Sequence, residues 1–376
     1  MKNIKVLQIG KYYPSYIGGT ENHLFTLVNE LKKEVTVKVL VANTKFKTSV
    51  ENDNGITVFR LASLGSFFSL PLILSLPFWL KKQKADILHF HLPNPLSIFS
   101  YFISRPKGRI IVSYHSDIVR QRIFNPLFNP FLNRFLKKAD SIIVTSANLI
   151  KNSAVLQKFK NKCSIIPYGI DINRFRPDAE VFKKSGEIKQ KYGSPLILFV
   201  GRLVYYKGLK YLLGAMKNIN ASLLVVGDGP LKKRLKNFAK NLGVSDKVIW
   251  AGEIKNEEVA PYYHACDIFI LPSNVKAESF GIVQLEASAC GKAVVSTNLP
   301  TGVPFANLDG KTGVIVPPAD SCALASAVNH LLASPQLRQA YGQNGKARVE
   351  EDFTKEKMAD DILKVYGIIR KSQKYV

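Results

Sequence analysis

Short apolar runs recur along the chain, each closed by Gly, Pro, Asn or Asp, and most are followed by a stretch with helical spacing. Ile4 to Ile9, Val35 to Val41, Ile56 to Leu61, Asp86 to Pro93, Arg109 to Tyr114 and Ala139 to Ser146 read as buried strands, and Ser164 to Asp171 closes the series. A helix is expected from about Glu21 to Leu31. From Arg174 to Ser194 the chain is polar and charged and reads as an interdomain linker. A second alternation follows, with strands at Leu196 to Val200, Ala221 to Val226, Val248 to Ile254, Cys266 to Ser273 and Lys292 to Thr297. Helices are expected after Gly208, from Gly281 to Gly291, and from Cys322 to the end. Apolar strands alternating with helical patterns predict parallel sheets and an α/β fold. A chain of 376 residues exceeds one ordinary core, and the break in pattern places domains at 1–172 and 173–357.

Composition changes this picture little: 46% hydrophobic and 22% charged is a globular balance. Charge changes it more. The formal net charge is +25, and residues 1–170 hold 24 of the 53 Lys and Arg but only 8 of the 28 Asp and Glu. The first half therefore favours an anionic partner: lipid headgroups, nucleic acid or phosphorylated substrates. Four distant cysteines without a C-x-x-C suggest reduced thiols, and Met1 to Gly10 has too short an apolar run for a signal peptide, so a cytoplasmic protein is expected.

Leu64 to Leu80 carries no charge over seventeen residues. It contains Gly65, Pro71 and Pro77 and falls short of the ~20 residues of a membrane span. A buried or interfacial helix ending at Lys81-Lys82-Gln83-Lys84 fits better. Phe67, Phe68, Phe78 and Trp79 beside those lysines suit a bilayer surface, with a core helix as the alternative. Ile118 to Lys138 mixes Arg120, Arg122, Arg134, Lys137 and Lys138 with Phe124, Phe128, Phe131 and Phe135. The Phe pairs are spaced i,i+4, and Asn-Pro at 125–126 and 129–130 is expected to break the helix. This stretch reads as a membrane-surface patch or as a core-facing helix with a solvated basic side. It carries no recognised nucleic-acid motif.

The candidate chemistry sits at strand ends. Gly18 and Gly19 lie between a strand and a helix, where open α/β sheets bind ligands and glycine lets backbone approach a phosphate. His89 and His91 share a strand face, but a metal pair would need a third ligand that the sequence does not supply. His115 follows a strand directly, a stronger position. Arg202 and Lys207 flank a glycine-bounded loop after a strand, which suits a diphosphate. Gly227-Asp-Gly-Pro230 lacks the third glycine of a dinucleotide fingerprint. Glu278 and Glu286 stand eight residues apart around Phe280-Gly281. Between them, the amides of Gly281, Ile282 and Val283 at a helix start form an anion site. Taken alone, two such glutamates are most often solvated helix-end charges.

The flanking residues change that reading. Glu278 to Gly291, E-S-F-G-I-V-Q-L-E-A-S-A-C-G, resembles the E-x7-E signature of retaining glycosyltransferases of family 4, which have the GT-B fold. Gly201 to Gly208 is similar to that family's G-R-L-x-x-x-K-G, and Gly310 to Pro318 to its late G-x-x-G-x-[LV]-V-P-P turn. Ile166 to Asp171 resembles I-P-N-G-[IV]-D with Tyr168 in place of Asn, whereas Pro300 to Phe305 departs from the usual G-G-x-x-E. The resemblance implies two Rossmann-like domains facing a cleft, with the nucleotide held mainly by the second. It also implies a terminal helix, about 358–376, that packs back onto the first. Gly18 and Gly19 would lie against the donor diphosphate and acceptor, and His115 would contact the donor sugar. Arg202 and Lys207 would hold the phosphates, with Gly281, Ile282 and Val283 adding amides, while Glu286 grips the ribose and Glu278 the donor sugar. His115 and Glu278 are the catalytic candidates. No metal or other cofactor is expected, and no D-x-D is evident. Retention would follow front-face attack assisted by the donor phosphate.

His115 to Gln121 and Thr301 to Phe305 look most like bacterial surface-polysaccharide mannosyltransferases, so GDP-mannose leads as nucleotide-sugar donor and a UDP-sugar (glucose, galactose or N-acetylglucosamine) is the alternative. The basic, aromatic first domain suggests a lipid-linked saccharide acceptor and a peripheral position on the anionic inner face of the cytoplasmic membrane. A nucleotide-sugar epimerase of the same fold would bind a donor and transfer nothing, and Arg202, Lys207 and E-x7-E argue against it. A nucleic-acid-binding module would explain the charge and leave the strand-end signature unexplained.

Overall fold

Strand β1 (Lys5–Ile9) exposes only its first residue, because it lies inside an eight-stranded sheet with helices on both faces. The computed structural model describes residues 4–14, 18–67, 70–117 and 125–372. Contacts divide the chain into one unit of residues 1–169 with 355–376 and a second of residues 170–354.

In the first unit, α1 (Gly19–Leu31), β2 (Thr36–Ala42), β3 (Ser49–Asp53) and β4 (Ile56–Leu61) follow β1. Next come a small pair, β5 (Ser66–Phe67) and β6 (Leu70–Pro71), then α2 (Leu76–Lys82), β7 (Ile87–Leu92), α3 (Pro95–Ser104) and β8 (Arg109–Tyr114). α4 (Asn125–Lys138), β9 (Ser141–Val144), α5 (Ala147–Asn152) and β10 (Cys163–Ile165) complete the run. The spatial order is β10-β9-β8-β7-β1-β2-β4-β3, parallel except for the β3–β4 edge. That hairpin turns on Asn54-Gly55, both with positive φ, a two-residue turn that the sequence reading passed over. Side chains alternate across the sheet. Val6, Val39 and Val41 pack with Leu24 and Leu27 of α1, while Leu7, Ile9 and Leu40 pack with Leu80 of α2 and Phe135 of α4.

Two expectations about local structure are corrected. Asn129-Pro130 does not break α4, which runs through Pro130 because Phe128, Leu132, Phe135 and Leu136 hold it against the sheet. Phe128 and Phe135 therefore belong to the core, and Phe131 is exposed. Arg120, Gln121, Arg122, Phe124 and Phe68 lie outside the described residues. The supposed linker is mostly α6 (Ala179–Tyr192), capped by the Asp178 carboxylate, which accepts from the Val181 amide at 2.8 Å, and ended by Gly193. It looked like a linker because it buries so little: Ser185 is its one buried residue.

The second unit continues with β11 (Leu196–Val200), α7 (Leu209–Ala215), β12 (Ser222–Val226), α8 (Lys232–Asn241), β13 (Val248–Gly252) and α9 (Ala260–Ala265). It closes with β14 (Ile268–Leu271), α10 (Ile282–Ala289), β15 (Ala293–Thr297), α11 (Val303–Ala306), β16 (Gly313–Val316), α12 (Ser321–Ala333) and α13 (Pro335–Asp352). All six strands are parallel in the order β13-β12-β11-β14-β15-β16, a doubly wound sheet. Ile197, Phe199, Val225 and Val295 form its core with Leu212 and Leu213 of α7 and Val328 of α12. The last helix, α14 (Lys355–Ser372), belongs to the first unit, where Met358, Ile362 and Tyr366 join the α1 side of the core.

Both sheets reverse winding direction beside their first strand, between β1 and β7 and between β11 and β14. Open α/β sheets leave a ligand crevice at the carboxyl ends of such strand pairs. Among the described residues, no helix is long and apolar enough to cross a membrane. The uncharged stretch before Lys81 forms the short pair and the seven-residue α2. Leu74 and Phe78 stay exposed there, and the Lys82 ammonium sits 4.1 Å from the Phe78 ring centroid.

Candidate functional site

In the second unit, the loops leaving β11 and β14 meet at the reversal point. Gly208 makes this approach feasible: its φ is +68°, and a Cβ there would lie 1.9 Å from the Pro272 carbonyl oxygen. The approach pairs Lys207 with Glu278 at 2.6 Å, with side chains only 12% and 9% exposed. Burial disfavours the Lys207 ammonium, but the Glu278 carboxylate, with Tyr206 and Glu286, outweighs burial and raises its pKa above the usual lysine value. Ser273 Oγ donates to the same Glu278 oxygen at 2.9 Å, and Thr297 Oγ1 donates to the Ser273 carbonyl at 2.5 Å.

Three residues after Glu278, Gly281 caps α10 with φ +74°, a conformation a side chain there would strain, with Leu271 Cδ2 2.3 Å from an added Cβ. The amides of Gly281, Ile282 and Val283 find no partner among the described residues, so the positive end of α10 is open to an anion. Glu286 sits one turn further on and accepts from the Tyr263 hydroxyl at 2.6 Å. Burial raises its pKa, while the Tyr263 bond, Arg174 and Lys207 oppose the rise. Arg202 is exposed and has no ion-pair partner among the described residues, which leaves its guanidinium free for a ligand. Gln284 also shapes this site: its amide donates to the carbonyls of Phe280 at 2.7 Å and Val303 at 3.2 Å, tying the α10 cap to the Thr301 to Phe305 segment.

In the first unit, His115 follows β8 and is buried. Its Nδ1 is 2.6 Å from the Tyr168 hydroxyl, and its Nε2 is 3.0 Å from His91 Nδ1. His91 Nε2 is 2.8 Å from Gln8 Oε1. The Gln8 amide reaches Tyr366, whose hydroxyl is 2.8 Å from His89 Nδ1, and His89 Nε2 is 2.8 Å from Ser113. Burial pushes His23 and His89 down to about 3, and burial together with neighbouring imidazoles holds His91 and His115 well below the usual imidazole range. Gly18 caps α1 and Gly19 begins it, and His23 on the same helix packs edge-on to His115 at 5.3 Å. A pocket lined by Gly10, Lys11, Thr20, Glu21, His91 and His115 opens here. Burial lowers the Lys11 pKa, offset in part by Glu21.

The sequence found no third metal ligand for the histidines, yet the structure brings ligand nitrogens of His23, His91 and His115 within 4.8 Å of one another. His91 and His115 already hydrogen-bond each other, so an ion there would have to break that bond. Sequence reasoning missed Gln8, His23, Tyr263, Ser273, Gln284 and Tyr366. Gln8 alone left a trace, as a polar residue inside an apolar strand.

The Lys207–Glu278 pair gives a stability test. Lys207→Met strands a buried carboxylate and should cost about 3 kcal/mol, and Lys207→Met with Glu278→Gln should cost clearly less, as read by denaturant unfolding. The depressed histidines give a second test. His23, His89, His91 and His115 should show no ring titration by NMR as pH falls from about 8 to 5. Their folded-state values lie below 6.5, so the stability they confer is present above the ordinary imidazole pKa and is lost as pH falls toward about 3.

Comparison with known proteins gives the family. Residues 17–174 match the family model described as Glycosyltransferase Family 4, and residues 180–348 match Glycosyl transferases group 1. The chain is 31% identical to O-antigen chain mannosyltransferase C of Escherichia coli over 98% of this chain and all of that protein. It is 28% identical to a GDP-mannose-dependent alpha-(1-6)-phosphatidylinositol monomannoside mannosyltransferase of Mycolicibacterium smegmatis over 91% of this chain and 92% of that one. Sucrose-phosphate synthase from Thermosynechococcus elongatus superimposes with a TM-score of 0.83 at 25% identity, covering 98% of this chain and 100% of that one. The chain belongs to glycosyltransferase family 4 and has the GT-B fold.

Proposed function

We propose that the protein transfers mannose from GDP-mannose, with retention at the anomeric carbon, to a lipid-linked saccharide in surface-polysaccharide synthesis. The observation that carries the reading is the strand-end arrangement of the second unit: Lys207 held by Glu278, the exposed Arg202, and the unpartnered amides at the start of α10. These groups suit a leaving diphosphate. The acceptor hydroxyl oxygen attacks the anomeric carbon, the bond to the β-phosphate oxygen breaks, and that oxygen takes the acceptor proton as GDP departs. Fixed cations and amides stabilise the charge that grows on the phosphate, so no divalent ion is required there. Glu278 turns from Lys207 toward the sugar hydroxyls, and Glu286, oriented by Tyr263, holds the ribose.

The choice of mannose rests on relatives whose names print mannosyltransferase and, in one, GDP-mannose. An O-antigen chain and a phosphatidylinositol mannoside in those names favour a lipid-linked acceptor. Exposed Leu74 and Phe78 beside Lys82 favour peripheral docking of the first unit on an anionic cytoplasmic membrane face.

The test is binding and hydrolysis of GDP-mannose, UDP-glucose, UDP-galactose and UDP-N-acetylglucosamine with and without EDTA. Selective GDP-mannose binding that survives EDTA is expected. Selective binding of a UDP-sugar would overturn the donor, and loss with EDTA would overturn the metal-free reading. Glu286→Ala should weaken donor binding by about 1–3 kcal/mol, and unchanged affinity would remove its ribose role.

A further inference from the structure

The first unit holds a continuous chain of side-chain hydrogen bonds that the transfer reaction, as described, does not use: Tyr168, His115, His91, Gln8, Tyr366, His89 and Ser113. Gln8 is its only member with a fixed donor at one end and a fixed acceptor at the other. It lies on β1 opposite His89, fully buried, with Oε1 on His91 Nε2 and Nε2 on Tyr366. A carboxamide oxygen only accepts, so His91 Nε2 must carry a proton. A neutral His91 then has a bare Nδ1, which requires a proton on the facing His115 Nε2. A neutral His115 in turn has a bare Nδ1, which accepts from the Tyr168 hydroxyl. The short 2.6 Å contact at that end suits a phenol donating to an imidazole nitrogen.

We propose that Gln8 is a positioning residue that fixes His91 and His115 as Nε2–H tautomers, so that His115 offers substrate an N–H donor and not a base. The proposal rests on the family-4 reading of His115 and adds which proton it bears and what sets it. Neutrality is favoured by burial and by the groups facing His115: His23 on α1, His89 on β7 and Lys11 after β1. His23 Nδ1 is buried with no hydrogen-bond partner among the described residues. A substrate hydroxyl replacing the direct His91–His115 bond would accept from His115 Nε2–H and donate a hydrogen bond to His91 Nδ1 while keeping its proton. The pair thus recognises a hydroxyl, and the proton released in glycosyl transfer goes to another group, in keeping with the phosphate route.

Nitrogen-15 NMR of histidine-labelled, ligand-free protein tests this without any turnover, so it stands or falls apart from the donor assignment. Both His91 and His115 should report a neutral ring protonated at Nε2. A proton on His115 Nδ1, or an imidazolium at neutral pH, would overturn the proposal. Gln8→Leu should mix the His115 tautomers and lower kcat by about 10- to 100-fold with little change in donor KM. An unchanged His115 tautomer in Gln8→Leu would remove Gln8 from the role. If Gln8→Leu does not fold, the wild-type spectrum decides: a His91 ring protonated at Nδ1 contradicts the proposal.

Discussion

A lysine taken out of water needs an anion facing it, and in the second unit that need is met by one carboxylate from the other side of the winding reversal. Lys207 arrives on the loop after β11 and Glu278 on the loop after β14, and they meet at 2.6 Å. Both loops must approach closely, which accounts for glycine at 208 against Pro272 and at 281 against Leu271. The pair is expensive to bury, and its worth lies in position. It fixes a cation at the strand ends of the second unit. On the proposed reading the cation is already in place and only Glu278 changes partner when the donor binds, and charge set in place beforehand is a large term in stabilising a departing phosphate.

The first unit solves a different problem. It buries four imidazoles near one strand end, and burial keeps them neutral. Neutral rings can be ordered only by partners with a fixed sense, and Gln8 supplies one from the middle of β1. Tyr168 stands at the far end of that hydrogen-bond chain, 2.6 Å from His115 Nδ1.

Much of the fold was legible because fully buried parallel strands write themselves as continuous apolar runs. Arg109–Tyr114 and Leu196–Val200 fall where the pattern puts them. α6 was misread because an exposed helix leaves no apolar stripe, although Asp178 and Gly193 mark its ends. Lys207 and Glu278 were each legible as local motifs, but their pairing joins residues 71 positions apart and depends on strand order. Gln8 and Tyr366, separated by 358 positions, left no joint signal at all.

The central claim is that the donor diphosphate lies at the carboxyl ends of β11 and β14, and a crystal structure with GDP bound tests it most directly. The account predicts the β-phosphate within hydrogen-bond reach of Lys207 Nζ and of amides among Gly281, Ile282 and Val283, with the ribose on Glu286. GDP bound elsewhere on the chain, with Lys207 still closed on Glu278 and the α10 amides empty, would contradict it.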